Sequence, residues 1–219
     1  AGLKVEPRPL TEEERKAKIA EITALQNQVG TEKSVELMIK IGELQHRVGK
    51  TDEAVKTMRE ALRHYSDNAE VNNDLACYLT KEGKQEEALI YHKRATSLNK
   101  NKARYHIWYS ATLFGLQKNE EAEQQIQIGI KLDPKDPIVF SEAGLFYFHR
   151  GNIVEAEKNF KIATSIEPSH FHAFYNYGAF LGKQERFSEA VPILDTAVSL
   201  EPNHKKAKRW LAYAKKNSN

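Results

Sequence analysis

The sequence predicts an all-α fold in which antiparallel helix pairs follow one another as a solenoid, and three recurring features predict it. Alanine returns every 34 residues with no insertion or deletion, at Ala54, Ala88, Ala122, Ala156 and Ala190. A second small residue follows each alanine seven positions later, at Ala61, Ala95, Gly129, Ala163 and Ala197. A turn signal also divides each repeat near its middle. A fixed period of this length is typical of a helical repeat array.

The N-terminal part of the chain is predicted to form an arm and a capping helix. Residues 1–10 contain two prolines and no hydrophobic periodicity, which indicates a flexible arm. Thr11 and Glu14 then have the spacing of a capping box, in which each side chain accepts a hydrogen bond from the other residue's backbone amide. Ala20 lies one repeat length before the first alanine of the series. The helix within residues 11–30 is therefore predicted to be a half-repeat that caps the array.

Five complete repeats are predicted to follow, each consisting of a helix, a tight turn and a second helix, at residues 35–68, 69–102, 103–136, 137–170 and 171–204. Glycine is expected to make the turn in three repeats, because it adopts a left-handed backbone without steric cost. These glycines are Gly49, Gly83 and Gly151, and the pairs Lys118–Asn119 and Glu185–Arg186 are expected to replace them in repeats 3 and 5. The links between repeats are rich in Asp, Asn, Ser and Pro, which favour the start of a helix.

A last helix within residues 205–219 is predicted to cap the C-terminal end of the array. Its inner side is expected to carry Ala207, Trp210, Leu211 and Ala214, whereas its outer side is basic. A terminal repeat needs such a polar outer face for solubility. The basic side chains are interpreted either as a solvated face or as a patch for an acidic protein, a nucleic acid or an anionic membrane. Residues 217–219 are expected to form a disordered tail.

Composition and charge do not favour a nucleic-acid-binding or membrane protein. The chain has 33 basic and 30 acidic side chains, and a net charge of +3 is too weak to predict nucleic-acid binding by itself. No apolar run approaches the roughly 18 residues of a membrane span. The single cysteine, Cys77, excludes an internal disulfide and fits a reducing compartment, so a cytoplasmic location is expected. The start at Ala1 without methionine leaves open a processed product or a fragment.

The first helix of each repeat carries a further small residue, at Gly42, Ala76, Ser110, Gly144 and Gly178, and a proline closes three repeats, at Pro134, Pro168 and Pro202. This pattern resembles the tetratricopeptide repeat over residues 35–204. Ser66 and Lys100 depart from it where the family prefers proline, and His92 departs from it at a position that is usually apolar. The resemblance implies a right-handed superhelix, in which the first helix of each pair lines a concave groove and the second faces the convex side.

The resemblance also implies which side chains face the groove. They lie on the side of each first helix that is not needed for packing between helices. In repeats 3 to 5 this side combines apolar residues with a basic rim, and the predicted partner site consists of Arg104, Ile107, Phe114, Ile138, Leu145, Phe148, His149, His172, Tyr175 and Lys183. Such a surface suits an amphipathic helix or an extended apolar peptide. Alternatively, any one of these aromatic side chains builds the core between helices.

Some tetratricopeptide co-chaperones hold the carboxylate end of a heat-shock chaperone tail, and the sequence argues against this function. These proteins use basic residues and asparagines on three consecutive first helices. The matching positions do not carry that set, whether the comparison starts at repeat 1, 2 or 3. Glu43, Asp74 and Glu142 stand at such positions, and their negative charges would repel a carboxylate. We therefore expect that the protein has no clamp for a chaperone tail.

No catalytic, cofactor or metal site is predicted. His149, His170 and His172 lack the spacing and the neighbours of metal ligands. Cys77 has no neighbouring basic pattern that would activate a thiolate. A glycine-rich phosphate loop, a nucleophile elbow and paired catalytic carboxylates are missing from the sequence. We therefore expect a protein that is not an enzyme and that binds neither a cofactor nor a metal.

The leading hypothesis is a non-enzymatic scaffold or adaptor for protein–protein interaction, which binds a peptide or helix of its partner in the concave groove, mainly through repeats 3 to 5. The alternative is a self-assembling structural module that stacks through its terminal helices, using Trp210 and Leu211 or the N-terminal half-repeat. A further hypothesis is that the chain is the interaction domain of a larger protein. We expect a monomer or weak self-association.

Overall fold

The computed structural model describes residues 9–30 and 34–218, and these residues form twelve α-helices and no β-strand. The helices are α1 (Glu12–Val29), α2 (Val35–Arg47), α3 (Thr51–His64), α4 (Ala69–Lys81), α5 (Gln85–Leu98), α6 (Ala103–Gly115), α7 (Asn119–Leu132), α8 (Pro137–His149), α9 (Ile153–Ile166), α10 (Phe171–Lys183), α11 (Phe187–Leu200) and α12 (Lys205–Asn217). The predicted all-α fold of consecutive helix pairs is confirmed. Most of the expected N-terminal arm lies outside the described residues.

Helices α2 to α11 alternate between the first and second helix of five repeats. The partners of one repeat pack on each other, as α2 does on α3, α4 on α5, α8 on α9 and α10 on α11. A second helix also packs on the first helix of the following repeat, as α3 does on α4, α5 on α6, α9 on α10 and α11 on α12. A helix such as α4 or α10 therefore packs on the helix before it and on the helix after it.

A residue with a left-handed backbone makes the turn within each repeat. Gly49, Gly83 and Gly151 have φ angles of 87°, 79° and 76°. Gln117 and Glu185 take the same role with φ angles of 61° and 58°. All five positions are one repeat length apart. The turn of repeat 5 therefore lies at Glu185, where the sequence predicts it. The turn of repeat 3 lies at Gln117, one residue before the expected Lys118–Asn119. The repeat length, rather than the residue type, sets this position.

The chain divides into two compact units, Ala1–Gln125 and Ile126–Asn219, with the division inside α7. We call them the N-terminal unit and the C-terminal unit. In the N-terminal unit one core cluster includes Met58, Leu75 and Tyr78. A second cluster joins α1 to α2 and consists of Ile22, Ile41, Leu44 and Val48.

In the C-terminal unit, the core forms between successive repeats. Phe140 packs with Ala163 and Ala173, and the next cluster is Phe171 with Ala197 and Ala207. All five alanines of the series that begins at Ala54 have 0% of their surface exposed. A larger side chain at these positions would separate the paired helices, which explains why the alanines recur.

The terminal helix α1 begins with the predicted capping box. The Thr11 hydroxyl accepts a hydrogen bond from the Glu14 amide at 3.1 Å, and the Glu14 carboxylate accepts one from the Thr11 amide at 2.8 Å. The Arg15 guanidinium also donates to the carbonyl oxygen of Val48 at 2.7 Å, which attaches α1 to the end of α2.

The terminal helix α12 packs on α11 and buries Ala207, Leu211 and Ala214. Trp210 is only half-buried, and it covers Gly182 of α10 so closely that a methyl group there would lie 2.7 Å from the indole ring. The sequence predicts Asn217 in a disordered tail, but this residue is the last of α12. Its side chain donates a hydrogen bond to the carbonyl oxygen of Tyr213 at 2.7 Å, which prolongs the helix.

Candidate functional site: a groove on the C-terminal unit

Three first helices, α8, α10 and α12, lie side by side in the C-terminal unit. Helix α10 contacts α8 on one side and α12 on the other. The three helices begin at positions that are one repeat length apart, so equivalent side chains form rows across them. One side of each first helix packs on second helices, and the opposite side lines a concave surface.

A concavity of about 170 Å³ lies on this surface, and we call it the α8–α10 groove. Its lining consists of Leu145, Phe148, Tyr175, Asn176, Ala179, Phe180, Lys183 and Trp210. Four of these residues belong to the partner site predicted from the sequence: Leu145, Phe148, Tyr175 and Lys183. The Asn176 side chain donates a hydrogen bond to the Ser141 hydroxyl at 3.0 Å, which links α10 to α8 below the groove.

Phe148 is held in the groove by two ring contacts. It meets Phe180 edge to face with ring centroids 5.4 Å apart, and the Lys183 ammonium lies 5.3 Å from the centre of the Phe148 ring. This cation–π contact places a positive charge at the edge of an apolar surface. Desolvation and the charge of Lys183 lower the pKa of His149, and this histidine does not line the concavity. Lys183 therefore supplies the positive charge at this end of the groove.

Tyr175 is held by aromatic neighbours on its other side. Its ring stacks on Phe171 with centroids 5.7 Å apart and an interplanar angle of 9°, and the His204 ring lies 5.2 Å away. Phe171 and His204 are buried, so Tyr175 rests on the core while its own side chain stays half-buried. A partner would thus meet a ring whose orientation is already set.

A larger concavity of about 710 Å³ continues from Tyr175 onto α12, and we call it the α12 surface. It is lined by Tyr175, Lys206, Arg209, Trp210, Ala212 and Tyr213. The prediction from sequence omits the α12 residues, because it treats this helix as a cap with Trp210 on the inner side. The repeat length identifies them, since Lys206, Arg209, Trp210 and Tyr213 follow His172, Tyr175, Asn176 and Ala179 by 34 residues.

Other residues of the predicted partner site lie elsewhere. Ile138 and His172 are half-buried on α8 and α10, and the His172 ring contacts Phe171 at 4.9 Å. Neither lines the two concavities. Arg104 and Phe114 are half-buried on α6, in the N-terminal unit.

Ile107 does not present the exposed surface that the sequence predicts. Only 1% of it is exposed, so a partner cannot reach its side chain. The equivalent residues of repeats 2 and 4, Asn73 and Ser141, are also buried. This position of the first helix is therefore a packing position in all three of these repeats.

The sequence suggests a negative charge at Glu142, but the burial of this side chain argues against that charge. Glu142 is 2% exposed, its Oε2 atom has no hydrogen-bond partner, and burial raises the pKa of its carboxyl to about 8. The carboxyl is therefore mostly protonated at pH 7 and does not repel an anion there. The prediction that no chaperone clamp exists still follows from the missing basic residues and asparagines, whereas repulsion of a carboxylate is now expected only from Glu43, which is exposed, and from Asp74.

Two histidines of the C-terminal unit cap helices. His170 Nδ1 accepts a hydrogen bond from the Ala173 amide at 3.3 Å, and His204 Nδ1 accepts one from the Ala207 amide at 3.1 Å. Among the described residues, no three His, Cys, Asp or Glu side chains are grouped as a metal site requires. In the same part of the chain, no helix combines the length and the apolar character needed to cross a membrane.

Two segments of the sequence match family models of the tetratricopeptide repeat, residues 40–102 and residues 171–204. The fold resembles TTC0263, a tetratricopeptide repeat protein of Thermus thermophilus, with a TM-score of 0.76 and 18% identity over 83% of this chain and 98% of that one. The APC/C hetero-tetramer Cut9–Hcn1 gives a TM-score of 0.74 at 16% identity, over 91% of this chain and 40% of that one. YrrB, a tetratricopeptide repeat protein with an unusual peptide-binding site, gives a TM-score of 0.53 at 21% identity, over 85% of this chain and 96% of that one. No curated protein matches the sequence.

These observations define a protein built from tandem helix pairs with a period of 34 residues. The chain is a tetratricopeptide repeat protein. Members of this family are generally non-enzymatic modules for protein–protein interaction. The structural likenesses, all below 25% identity, show the fold alone.

Proposed function

We propose that the protein is a non-enzymatic interaction scaffold whose α8–α10 groove holds an apolar or amphipathic segment of a protein partner. The observation that carries the proposal is the group of partly exposed apolar side chains on α8 and α10, Leu145, Phe148 and Tyr175, beside the ammonium of Lys183. An apolar centre with a polar rim is the usual composition of a protein interface.

The geometry of the groove favours binding at a low entropic cost. Phe148 and Tyr175 are braced by Phe180 and Phe171, so few rotamers are lost when a partner packs on them. The side chains that α8 and α10 present next to each other could contact one face of a partner helix or an extended partner peptide. Lys183 is placed to contact an acidic or carbonyl group at the edge of that segment.

Two proteins of the same fold support the proposal. YrrB has a peptide-binding site, and the Cut9–Hcn1 structure is an assembly of different chains. Cys77 is the single cysteine of the sequence and is buried, which is compatible with a reducing compartment, and we propose the cytoplasm as the location. Within the described residues, nothing favours stacking through Trp210 and Leu211, because Leu211 is buried and Trp210 covers Gly182.

Selection of short random peptides on the immobilised protein tests the proposal. We expect enriched peptides to bind the wild type and to bind at least about tenfold more weakly to the double variant Leu145→Glu with Lys183→Glu. The matched control is Val154→Glu with Lys131→Glu, because Val154 is 77% exposed on α9 and Lys131, like Lys183, lies in the last turn of its helix.

Circular dichroism and thermal melting confirm that both double variants are folded. We expect the control to retain the affinity of the wild type within about twofold. The proposal is wrong if no peptide is enriched over a surface without protein. It is equally wrong if folded groove and control variants bind the selected peptides alike.

A further inference from the structure

We propose that the α12 surface is the second half of the binding site and that it takes an acidic stretch of the partner segment that also carries an aromatic side chain. The inference depends on the proposed function of the α8–α10 groove and adds the chemistry of the partner. Helix α12, which the sequence presents as a cap, thereby becomes part of the recognition surface.

The two concavities of the C-terminal unit are adjacent and share part of their lining. Tyr175 and Trp210 line both of them, and Trp210 packs on Gly182 between the rows of α10 and α12. On α12, Arg209 and Tyr213 occupy the positions that Tyr175 and Ala179 occupy on α10. A segment seated on the α8–α10 groove can therefore continue across α12 without leaving the row of first helices.

The charge of α12 favours an acidic occupant. The helix contains six lysine and arginine residues and no acidic residue. Lys206 and Arg209 are exposed and line the concavity, and Lys215 forms an ion pair with Asp195 of α11 at 3.0 Å. Lys183 adds a further positive charge at the α8–α10 groove. Carboxylates of a partner would form charge-assisted hydrogen bonds with the groups that line the two concavities.

The aromatic side chains of α12 favour an aromatic or large apolar group beside those carboxylates. Tyr213 is 53% exposed, yet its ring is held edge to face by Phe187 at 5.5 Å and by Trp210 at 6.1 Å. A large side chain that is ordered while exposed provides a contact surface at little entropic cost. Tyr175 and Tyr213 bound the concavity, so a ring inserted there would meet aromatic surface.

Basic and aromatic side chains together also suit single-stranded nucleic acid, but the surroundings favour a peptide. A nucleic acid would need positive charge along its backbone as well as stacking platforms. Here the surface continues into the α8–α10 groove, where Leu145 and Phe148 are apolar and Lys183 is the one basic residue of the lining, so a nucleic-acid backbone would meet little positive charge there. The chain as a whole carries only a net charge of +3.

Charge reversal on α12 separates recognition from folding. Lys206 lies in the first turn of α12, where a glutamate interacts favourably with the helix dipole, and Arg209 is exposed in the second turn, where glutamate has a good helix propensity. The variant Lys206→Glu with Arg209→Glu should therefore keep α12 in place. Lys208→Glu is the control, because Lys208 is exposed on the same helix and does not line the concavity.

Peptides selected on the full chain test the inference. We expect the enriched sequences to be net negative and to contain an aromatic residue, with affinity that falls as the salt concentration rises. Fluorescence anisotropy should show binding to Lys206→Glu/Arg209→Glu that is at least about tenfold weaker, and binding to Lys208→Glu that is within about twofold of the wild type. Replacing the aromatic residue of a selected peptide with serine should also weaken binding about tenfold.

Three results would overturn the inference. Enriched peptides without acidic residues would do so, as would equal binding by the double variant and the Lys208→Glu control. Tighter binding of an oligouridine than of the peptides, at the same site, would assign the surface to nucleic acid instead. If binding is lost in Leu145→Glu/Lys183→Glu but not in the α12 variant, the proposed function stands and only the role of α12 is wrong.

Discussion

At single positions of the first helices, the contacts are so close that only the smallest side chain fits. A Cβ atom at Gly144 would lie 2.8 Å from the Phe160 ring, and one at Gly178 would lie 2.6 Å from Leu194. Phe160 and Leu194 are fully buried, so they cannot move aside. The same small residues that identify the repeat thus set the distance between the paired helices, and that distance fixes the backbone on which the groove residues stand.

Gly178→Ala should destabilise the protein in spite of the better helix propensity of alanine. We expect the free energy of unfolding to fall by about 1–3 kcal/mol, because the added methyl group overpacks against Leu194. Urea denaturation followed by circular dichroism measures this change. Gly115→Ala is the control, since its methyl group would meet only the flexible Gln85 at 3.4 Å, and no loss is expected. Equal effects of both variants would contradict the prediction.

At the level of the helix, the residue that precedes a first helix acts as its N-cap, and these residues recur one repeat length apart. Ser34, Asn68, Asp136, His170 and His204 accept a hydrogen bond from a backbone amide of the helix that follows. Lys102, before α6, is the exception and makes no such bond. Histidine can do this only through an unprotonated Nδ1 atom. The start of α12, and with it the position of Trp210, therefore depends on the His204 cap.

Replacing His204 tests this cap. We expect His204→Ala to lower the free energy of unfolding by about 1–2 kcal/mol, through the lost hydrogen bond and the lost contacts with Phe171 and Tyr175. His204→Asn should recover part of that loss, because Asn68 caps α4 in the same way. Urea denaturation of the three proteins at neutral pH provides the measurement. An equal loss in the alanine and asparagine variants would show that packing alone matters at this position.

On the scale of the whole molecule, stability also depends on links between successive repeats. Arg186, at the start of α11, donates hydrogen bonds at 2.6 and 3.0 Å to the Glu157 carboxylate of α9, and Lys161 lies 2.8 Å from the same carboxylate. These partners hold the pKa of Glu157 at about 2, against a usual value of 4.5. The carboxyl is mostly buried, so the pair is better shielded from solvent than an ordinary surface ion pair.

The ion pair of Arg186 with Glu157 predicts that the free energy of unfolding depends on pH in the acidic range. Because the pKa of Glu157 is lowered in the folded state, its contribution is fully present above pH 4.5 and is lost as the pH falls toward 2. Arg186→Gln should lower the free energy of unfolding by about 1–2 kcal/mol at pH 7, and the difference from the wild type should shrink progressively below pH 4.5. Chemical denaturation across this pH range provides the measurement.

The control for the acid experiment is Lys118→Gln, which removes an exposed ion pair with Glu121 within one helix. It should leave the pH dependence of the wild type almost unchanged. A constant difference between Arg186→Gln and the wild type from pH 7 to about pH 2.5 would contradict the role of Glu157.

The periodic features can be predicted from the amino-acid sequence because they depend on local size and spacing. A strict period of 34 residues places each helix pair, and small side chains recur wherever two helices approach closely. The capping box of α1 is predictable for the same reason, since Thr11 and Glu14 interact within one helical turn. The sequence also identifies Leu145, Phe148, Tyr175 and Lys183 as groove residues, because the period separates packing positions from the remaining ones.

The exposure and charge of individual side chains depend on contacts between helices that are far apart in the sequence. Ile107 lies on the side of α6 that the sequence assigns to the groove, yet its side chain is buried. Trp210 is predicted from the sequence to lie on the inner side of a cap, yet the small Gly182 lets it lie against α10 and line the groove. Glu142 looks like an anion, but burial keeps its carboxyl mostly neutral at pH 7. Helical periodicity describes one helix at a time, whereas burial and desolvation result from all the helices packed around a residue.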